Sequence, residues 1–515
     1  MAATDRMPVI IGVGQFADTT SDPAAALSPL QMMTEVAKRA ADDADASAAI
    51  LPKIDSVTVI RSFSDTVPAF RSPFGRLENA PWSVAQSIGA APREFIYPPQ
   101  GGDTPQTMLA RAAKKIVEGD IDAGLIVGSE ALRSERNAKR AGLDLDWSES
   151  APFAPDELGG EYTLYSQAEV AHGMRSAVCM YALFEQALRH SKGLTLDQRQ
   201  AELGRLFEPF ARVAAANPYA TRREGYTAAD ISTVSPTNRY VGFPYTRLMT
   251  ANAFVDQAAA VIVCSSSFAD AAGVPDEKRV YLHAAANAHD EWLVSERATF
   301  DRSPAIREIV RAVTGHAGIE TSNISDFDIY SCFASAVEVA ANEIGIALDD
   351  PRGLTATGGL PFFGGPGNNY VTHAIAEIVA RARSRPGSFG LITANGGLLT
   401  KHAGGLYSTT PPQSVYFADG QALQNAVNEA SGPKVEVIPA ADGEATIETY
   451  TIVNGKEGPE RGVIVGRLSG SNKRFLANTP DDRDTLEKLM ATDDAIGMAG
   501  TVAQEGPINR FVPNF

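Results

Sequence analysis

The stretch of sequence that decides the fold lies at residues 358–366 and reads Gly-Gly-Leu-Pro-Phe-Phe-Gly-Gly-Pro. Its glycines and prolines indicate a loop. Residues 364–369 then open a helix whose apolar residues recur at helical spacing, and residues 390–392 have the composition of a buried strand. The loop therefore connects elements of an α/β unit.

The order of elements around this loop repeats an order found roughly 270 residues earlier, a spacing that indicates an internal duplication. The matched pairs are strand 9–13 with strand 280–286, the helix start Ser28-Pro29 with Ser303-Pro304, strand 57–60 with residues 327–330, the helix led by Thr104 as N-cap and Pro105 with the helix after residue 364, and strand 124–126 with strand 390–392. Because five elements match in order, we predict two similar α/β halves.

Two further regions interrupt or extend the halves. Residues 132–249 contain amphipathic helical patterns at 174–188 and 206–215, and they precede the strand 258–264. After residue 409 we predict strands at 434–438, 446–453, 462–468 and 474–477, a helix at 482–490 and two short strands. This order is typical of an oligonucleotide/oligosaccharide-binding (OB) barrel.

Two motifs resemble those of the thiolase superfamily. Residues 358–366 match the thiolase loop G-G-x-x-x-x-G-H-P, with Gly365 in place of the histidine. Residues 330–333, Tyr-Ser-Cys-Phe, resemble the H-D-C-F motif of sterol-carrier-type thiolases, with Cys332 at the cysteine and Tyr330 at the histidine. The resemblance covers about residues 7–408. With the C-terminal domain, the chain resembles the thiolase-like proteins of type 1, which are often labelled acetyl-CoA acetyltransferases.

The resemblance implies a duplicated βαβαβαββ thiolase fold, layered α/β/α/β/α, followed by a mainly β, OB-like C-terminal domain. We predict that residues 1–131 and 250–275 form the first half and that residues 132–249 form an inserted loop domain. Residues 276–408 then form the second half, and residues 409–515 form the OB-like domain.

The groups that perform thiolase chemistry are missing. That chemistry needs a nucleophilic cysteine, a second cysteine as acid and base, and oxyanion donors around one thioester. Counting back from Gly119 places the nucleophile position at Gly102, with no cysteine nearby. Gly365 replaces one donor, and loss of such a donor typically lowers the rate by ~10² to 10³. We therefore expect no thiolysis or Claisen condensation by the cysteine route.

The resemblance nevertheless marks candidate site residues. The loop that carries the second cysteine reads Thr-Ala-Asn-Gly-Gly at residues 393–397, with Asn395 as the stand-in. The candidate catalytic residues are Cys332, Tyr330, Asn395 and Tyr370. The candidate substrate-binding residues are Gly101, Gly102, Thr104, Gly364, Gly365, Gly396 and Gly397.

A glycine pair before a helix can cradle an anion or carbonyl, or can simply form a tight turn. Cys332 could likewise be only a buried apolar residue.

Other reactive residues are predicted to be structural. Cys179 and Cys264 have the settings of core residues, and three scattered cysteines predict neither a disulfide framework nor a metal site. His373 and His402 are expected at the surface or in structural roles. Arg222 and Arg223 could meet a pyrophosphate, although surface charge also explains them.

The composition excludes several classes of partner. A net charge of −17 and a pI near 5.0 argue against nucleic acid and anionic membranes as partners. No apolar run reaches the length of a membrane span, and residues 1–14 lack a signal sequence, so we expect a cytoplasmic protein.

Three functions remain open from the sequence. The first is a protein that binds an acyl-CoA or related thioester in a degenerate cleft, with weak or non-thiolase acyl chemistry and no other cofactor, in lipid metabolism. The second is a thiolase-fold carbon–carbon lyase that uses Tyr330 and Tyr370 on a β-hydroxyacyl-CoA. The third is a non-catalytic scaffold whose C-terminal domain recruits a protein partner. Monomer and dimer both remain open.

Overall fold

The computed structural model describes residues 3–159, 162–418 and 420–515; residues 1, 2, 160, 161 and 419 of the predicted domains lie outside this part of the chain. The strands of the described chain are β1 Pro8–Ala17, β2 Ser56–Val59, β3 Glu94–Ile96, β4 Ala123–Ala131, β5 Tyr240–Gly242, β6 Tyr245–Thr246, β7 Asp256–Ser265, β8 Val280–His289, β9 Ile324–Asp328, β10 Phe389–Gly396, β11 Lys401–Ser408, β12 Tyr416–Phe417, β13 Val437–Ile438, β14 Gly443–Asn454, β15 Pro459–Leu468, β16 Arg474–Asn478, β17 Ala499–Glu505 and β18 Ile508–Pro513.

Helices alternate with these strands. They are α1 Pro29–Asp43, α2 Ser47–Ile50, α3 Ala80–Ile88, α4 Thr104–Glu118, α5 Leu132–Arg140, α6 Gln167–Ala171, α7 Ala177–Ser191, α8 Leu196–Ala216, α9 Ala228–Ser232, α10 Ser266–Ala272, α11 Pro304–Ala317, α12 Ala334–Ile344, α13 Gly359–Phe362, α14 Tyr370–Ser384, α15 Gly420–Ser431 and α16 Arg483–Ala491. None of the helices in the described ranges combines the length and the apolar character that crossing a membrane requires.

A mixed sheet runs through both halves and confirms the duplication. Its strand order is β3-β2-β4-β7-β1-β8-β11-β10-β9, with β12 added beside β8. Outward from the junction of β1 with β8, each half has two antiparallel pairs followed by a parallel pair. In this order β7 matches β11, β4 matches β10 and β2 matches β9. The first half has one strand more, because β3 has no counterpart among the described residues beyond β9.

Two helices form a central layer between the half-sheets. Helices α4 and α14 both contact strands of the two halves, whereas α1 packs on the outside of the first half and α11 on the outside of the second. Apolar residues at helical spacing give α4 its buried face, and α14 is buried around most of its circumference. The predicted layering is therefore present, and it brings the N-terminal ends of α4 and α14 together.

The C-terminal region contains the predicted small barrel. Strands β14, β15, β16, β18 and β17 pair in this order, and β17 closes the ring on β14, with α16 between β16 and β17. The strand expected at residues 434–438 is shorter than predicted, because only Val437–Ile438 pairs with β16. The insertion contributes β5, which pairs with β14.

Elements pack across the predicted boundaries. Helix α15 lies on α11 and β8, and β12 joins β8, although both follow residue 408. Helix α7 of the insertion contacts α12 and β14, so it links the second half to the barrel. The division of the chain at residues 131, 249, 275 and 408 stays a prediction.

Candidate functional site

The turn before α4 is fixed by the loop that follows residue 366. The backbone N–H of Gly101 donates to Asn368 Oδ1 at 3.0 Å, and Asn368 Nδ2 donates to Arg61 O at 2.7 Å. The predicted cap at Thr104 is wrong, because Thr104 is the first helical residue and Asp103 stands at the cap position without a side-chain capping bond. Thr104 Oγ1 instead donates to Pro99 O at 3.2 Å.

Gly102 has no room for a side chain. A Cβ atom built on Gly102 would lie 2.3 Å from Tyr330 Oη and 2.5 Å from the backbone oxygen of Asn395. Both distances are far inside van der Waals contact. The hydroxyl of Tyr330 therefore fills the space that a side chain at residue 102, the predicted nucleophile position, would need.

Cys332 and Asn395 meet beneath an aromatic side chain from the insertion. Asn395 Nδ2 donates to Tyr181 Oη at 2.9 Å and lies 3.9 Å from Cys332 Sγ, while the Oδ1 atom of Asn395 is buried without a hydrogen-bond partner. Tyr181 also accepts from Leu399 N at 2.9 Å. Sequence reasoning missed Tyr181, because on α7 it is one apolar-face residue among many.

The thiol and the phenol of the site keep their protons at neutral pH. Burial raises the pKa of the Cys332 thiol to about 12, and the hydrogen bond from Tyr181 offsets only part of this effect. Burial, followed by the nearby Cys332 and Asp103, raises the pKa of Tyr330 well above its ordinary value. Since the thiolate is the nucleophile, Cys332 is poorly suited to covalent catalysis.

The hydroxyl of Tyr370 is already engaged. It lies 2.6 Å from Thr357 Oγ1 and donates to the buried carboxylate of Asp328 at 3.0 Å. Asp328 also accepts the backbone N–H groups of Ala356 and Thr357. The ring of Tyr370 stands edge-on to Tyr330, with centroids 5.5 Å apart. Tyr370 is therefore next to the site, but its polar group braces the loop before α13.

Gly364 and Gly365, in the loop of residues 358–366, differ in the space around them. Gly364 has φ +128°, and a Cβ atom there would lie 2.4 Å from Gln257 Oε1. A Cβ atom built on Gly365 would have its nearest neighbours at 3.5 Å, an ordinary van der Waals contact. The N–H of Gly365 donates to Asn252 O at 2.9 Å. The missing histidine thus leaves space at Cβ, unlike the missing cysteine.

A charged cluster that the sequence did not reveal covers the turn at Gly101. Lys401 Nζ donates to Gln100 O at 2.6 Å and to Tyr162 Oη at 2.8 Å, and it lies 3.3 Å from Asp103 Oδ1. The predicted Gly396 belongs here, since a Cβ atom on it would meet Asp103 Oδ1 at 2.0 Å. Gly397, with φ +66°, turns the chain between β10 and β11. The only sequence signal for this charged cluster was a lysine next to a glycine-rich hairpin.

The two histidines predicted to be at the surface or structural are both buried. His373 Nδ1 lies 2.8 Å from Gln15 Oε1, and burial lowers the pKa of its imidazole to about 3. His402 Nε2 lies 3.3 Å from Asp290 Oδ2 and 3.4 Å from Ser303 Oγ. Neither ring touches Cys332 or Tyr330 through a described hydrogen bond.

A groove of about 470 Å³ opens beside the site. Its lining includes Arg133, Thr221, Arg223, Asn252, Phe254 and Asp256. Residues 251 and 252 link the groove to the site, because Ala251 N donates to Cys332 O at 3.0 Å and Asn252 O accepts from Gly365 N. Gly102, Tyr330, Tyr370, Asn395 and Cys332 thus lie together, next to a groove that none of the predicted site residues lines.

These features define a member of the thiolase superfamily in which the predicted nucleophile position, Gly102, has no space for a side chain. A crystal structure of a monomeric SCP2-thiolase like protein type 1 from Mycobacterium smegmatis shares 36% identity over 99% of both chains, with a TM-score of 0.82. Residues 422–507 match the family model described as the thiolase-like protein type 1 additional C-terminal domain. The chain belongs to the thiolase-like protein type 1 family.

More distant structures share only the fold. The Ltp2-ChsH2(DUF35) aldolase is 17% identical, with 79% of this chain and 98% of that chain covered and a TM-score of 0.56. An acetyl-CoA acetyltransferase from Syntrophomonas wolfei is 13% identical, with 78% and 99% covered and a TM-score of 0.54. No curated protein matches the sequence.

Proposed function

We propose that this protein binds an acyl-CoA or a related CoA thioester and does not perform cysteine-dependent thiolase chemistry. The observation that carries the proposal is the short distance along the chain between groove and site, because Ala251 N donates to Cys332 O and the next residue, Asn252, lines the groove. A ligand held by its phosphates in the groove would extend along this segment and present its thioester near Cys332 and Tyr330.

Arginines without carboxylate partners support an anionic ligand. Among the described residues, neither Arg222 nor Arg223 has a carboxylate within ion-pair distance, and Arg222 donates instead to Pro361 O at 2.7 Å. Burial, together with the charge of Arg247, lowers the pKa of Arg222 to about 10. Guanidinium groups suit phosphates because their donors match phosphate oxygens in pairs.

The groove is lined by two arginines, Arg133 and Arg223, and by three carboxylates. These carboxylates are Asp18, Glu224 and Asp256. Arg133 and Asp256 form an ion pair at 2.6 Å and so largely neutralise each other. Within the lining, the attraction for phosphate therefore depends on Arg223, against the carboxylates of Asp18 and Glu224.

Reversing the charge of Arg223 tests the proposal. In titration calorimetry we expect CoA and acetyl-CoA to bind the native protein, and Arg223→Glu to weaken both at least tenfold, because Arg223 is exposed and has no described ion-pair partner. The matched control is Arg483→Glu, which makes the same charge change on the exposed helix α16. No thiolysis of acetoacetyl-CoA is expected from any of these proteins.

The proposal fails if neither CoA nor acetyl-CoA gives heat or a thermal shift with the native protein. If Arg223→Glu and Arg483→Glu weaken CoA binding equally, the effect is one of net charge, and the groove is not the binding site.

A second candidate function is the lyase, and one observation favours it. Among the described residues no hydrogen-bond partner is found for Tyr330 Oη, although the hydroxyl lies against Gly102 at the centre of the site. The raised pKa keeps Tyr330 protonated. When the bond between Cα and Cβ of a β-hydroxyacyl-CoA breaks, Tyr330 could give its proton to Cα of the enolate and take up the proton of the β-hydroxyl group, which becomes the carbonyl of the released product.

Product release from a β-hydroxyacyl-CoA measures this second function. We expect an aldehyde or ketone and a shortened acyl-CoA if the lyase assignment holds, and loss of at least 10²-fold in rate in Tyr330→Phe, since the proton donor is then absent. Tyr240→Phe, which alters a tyrosine of β5 packed against the barrel, is the control. An unchanged rate in Tyr330→Phe would exclude Tyr330 as the acid.

A further inference from the structure

A leucine beside the candidate site adopts an uncommon backbone conformation. Leu399 lies in the turn between β10 and β11 and has φ +60°. This left-handed region is easy for glycine and uncommon for residues with a side chain. A residue stays there only where its surroundings hold it, and such residues cluster at functional sites. The groups that hold Leu399 therefore bear on the geometry of the site.

Both backbone groups of Leu399 are bound by side chains from other parts of the fold. Its N–H donates to Tyr181 Oη at 2.9 Å, and its carbonyl oxygen accepts from Arg297 Nη1 at 2.6 Å. Tyr181 Oη also accepts from Asn395 Nδ2 at 2.9 Å, and it hydrogen-bonds Cys332. The side chain that holds the N–H of Leu399 is thus the one that contacts two of the candidate catalytic residues.

The segment that carries Arg297 is in turn held by the C-terminal barrel. Arg474, on β16, is completely buried and donates through Nη1 to the carbonyl oxygens of Ser295 at 2.8 Å and Arg297 at 2.5 Å. Its Nε and Nη2 atoms donate to the two carboxylate oxygens of Glu448, on β14, at 2.8 and 2.5 Å. A bidentate pair of this kind fixes the orientation of the guanidinium group. The barrel therefore presents Arg474 to this segment in one orientation.

The barrel also contacts the helix that carries Tyr181. Thr449, on β14, donates from Oγ1 to the carbonyl oxygen of Leu183 on α7 at 2.7 Å. Leu183 is two residues from Tyr181 along this helix. Tyr181 is thus connected to the barrel along two routes, one through α7 and one through Arg297 and Leu399.

We propose that the C-terminal barrel sets the geometry of the candidate site, and that Arg474 is the positioning residue through which it does so. Arg474 keeps Arg297 on the carbonyl oxygen of Leu399. That contact keeps the N–H of Leu399 directed at Tyr181 Oη, so the hydroxyl stays against Asn395. The consequence for a bound acyl-CoA rests on the proposed function, whereas the position of the hydroxyl does not.

The side-chain amide of Asn395 reports where the hydroxyl of Tyr181 is, because Nδ2 donates to it. Its nuclear magnetic resonance signal, in protein isotope-labelled at asparagine nitrogen, is identified by its loss in Asn395→Asp. Tyr181→Phe gives the chemical shift of the amide without this bond. We expect Arg474→Met to move the signal toward the shift seen in Tyr181→Phe.

Two arginine variants show whether the shift is specific. Arg467 donates to the same Glu448 carboxylate and makes no described bond to residues 295–297, so Arg467→Met should leave the signal at its native position. Arg474→Lys keeps the charge but replaces a planar group of several donors by one ammonium. It should move the signal less than Arg474→Met, and it preserves the test if Arg474→Met does not fold.

Glycine at residue 399 separates positioning from a general loosening of the fold. Glycine adopts the φ of +60° found at Leu399 without support from neighbouring groups. In a Leu399→Gly background, Arg474→Met should therefore move the Asn395 signal much less than it does in the native protein. A shift caused by general loosening would be as large in both backgrounds.

Titration calorimetry measures the consequence for a ligand. We expect Arg474→Met to weaken acetyl-CoA binding about fivefold, the effect of one lost hydrogen bond, and to weaken CoA binding less, because the groove is unchanged. An Asn395 signal at the native position in folded Arg474→Met and Arg474→Lys, or an equal shift in Arg467→Met, would overturn the inference. A specific shift in a protein that binds neither ligand would support the inference and would remove the proposed function.

Discussion

Replacing Arg199 by alanine is expected to lower the free energy of unfolding by about 3 to 5 kcal/mol, the cost of breaking a buried ion pair from one side. Arg199 is almost completely buried on α8 and holds Glu185 at 2.5 Å and Glu338 at 2.6 Å, with Glu202 as a third carboxylate partner. Glu338 retains Lys192 at 2.7 Å in the variant. Glu185 loses its cation, and among the residues that the structure describes only Tyr245 Oη, at 2.8 Å, still donates to it.

The variant should also become more sensitive to pH. Burial raises the pKa of Glu185, and Arg199 opposes this rise. Without Arg199 the pKa in the folded state rises further above the value in the unfolded chain, so the folded protein binds the proton more tightly. Stability is then present at low pH and is lost as the pH increases through the folded pKa. Urea unfolding of Arg199→Ala should therefore show a larger deficit at pH 8 than at pH 5.

Two further variants control this result. Arg205→Ala alters an exposed arginine on the same helix and should change the unfolding free energy by less than about 0.5 kcal/mol. The pair Arg199→Met with Glu185→Gln removes the cation and the charge that depends on it, and it should recover part of the loss. A single Arg199→Ala variant as stable as Arg205→Ala would show that the buried network contributes little.

Replacing Gly102 by alanine is expected to cost at least about 1 to 3 kcal/mol, as overpacking of a filled interior does. The new methyl group would approach Tyr330 Oη at 2.3 Å and Asn395 O at 2.5 Å. The tyrosine could tilt, but the second obstacle is backbone in β10 and cannot yield without disturbing the sheet. Thermal unfolding and urea titration measure the loss.

Gly365→Ala is the matched control, because a Cβ atom at that position meets its nearest neighbours at 3.5 Å. It should leave stability within about 0.5 kcal/mol of the native protein. In a Tyr330→Phe background the penalty of Gly102→Ala should fall without vanishing, since the hydroxyl is removed and Asn395 O remains. A Gly102→Ala variant as stable as Gly365→Ala would show that the site is open enough for a side chain.

This pair of variants bears on whether thiolase chemistry can be restored. A cysteine at residue 102 has the same Cβ atom as alanine, so it meets the same two obstacles before its sulfur is placed. A histidine at residue 365 meets no such obstacle at Cβ. The two positions therefore differ. At Gly365, in place of the histidine, there is space for a Cβ atom, whereas at Gly102, the predicted cysteine position, Tyr330 fills that space.

Much of the architecture was predictable because it rests on local patterns. Helical and strand periodicity repeated in order around residues 9–126 and 280–392, and this order alone indicated two similar halves. Turn signals and short alternating strands after residue 409 indicated the barrel for the same reason. The glycines of residues 358–366 and the absence of cysteine near Gly102 identified a defective site, since both are properties of a short stretch of chain.

Only the tertiary structure shows which side chains fill that site and which residues surround it. Tyr330 lies against Gly102, Tyr181 reaches Cys332 from the insertion, and Lys401 closes over Gly101, although each partner is far away in the sequence. The hydrogen bonds between Asp156 and the backbone of Phe95 and Tyr97 are of the same kind. Such contacts depend on strand register and helix packing summed over the whole fold, and a shift of one residue would redirect every side chain involved. The sequence by itself determined what the site lacks, and the packing decided what took its place.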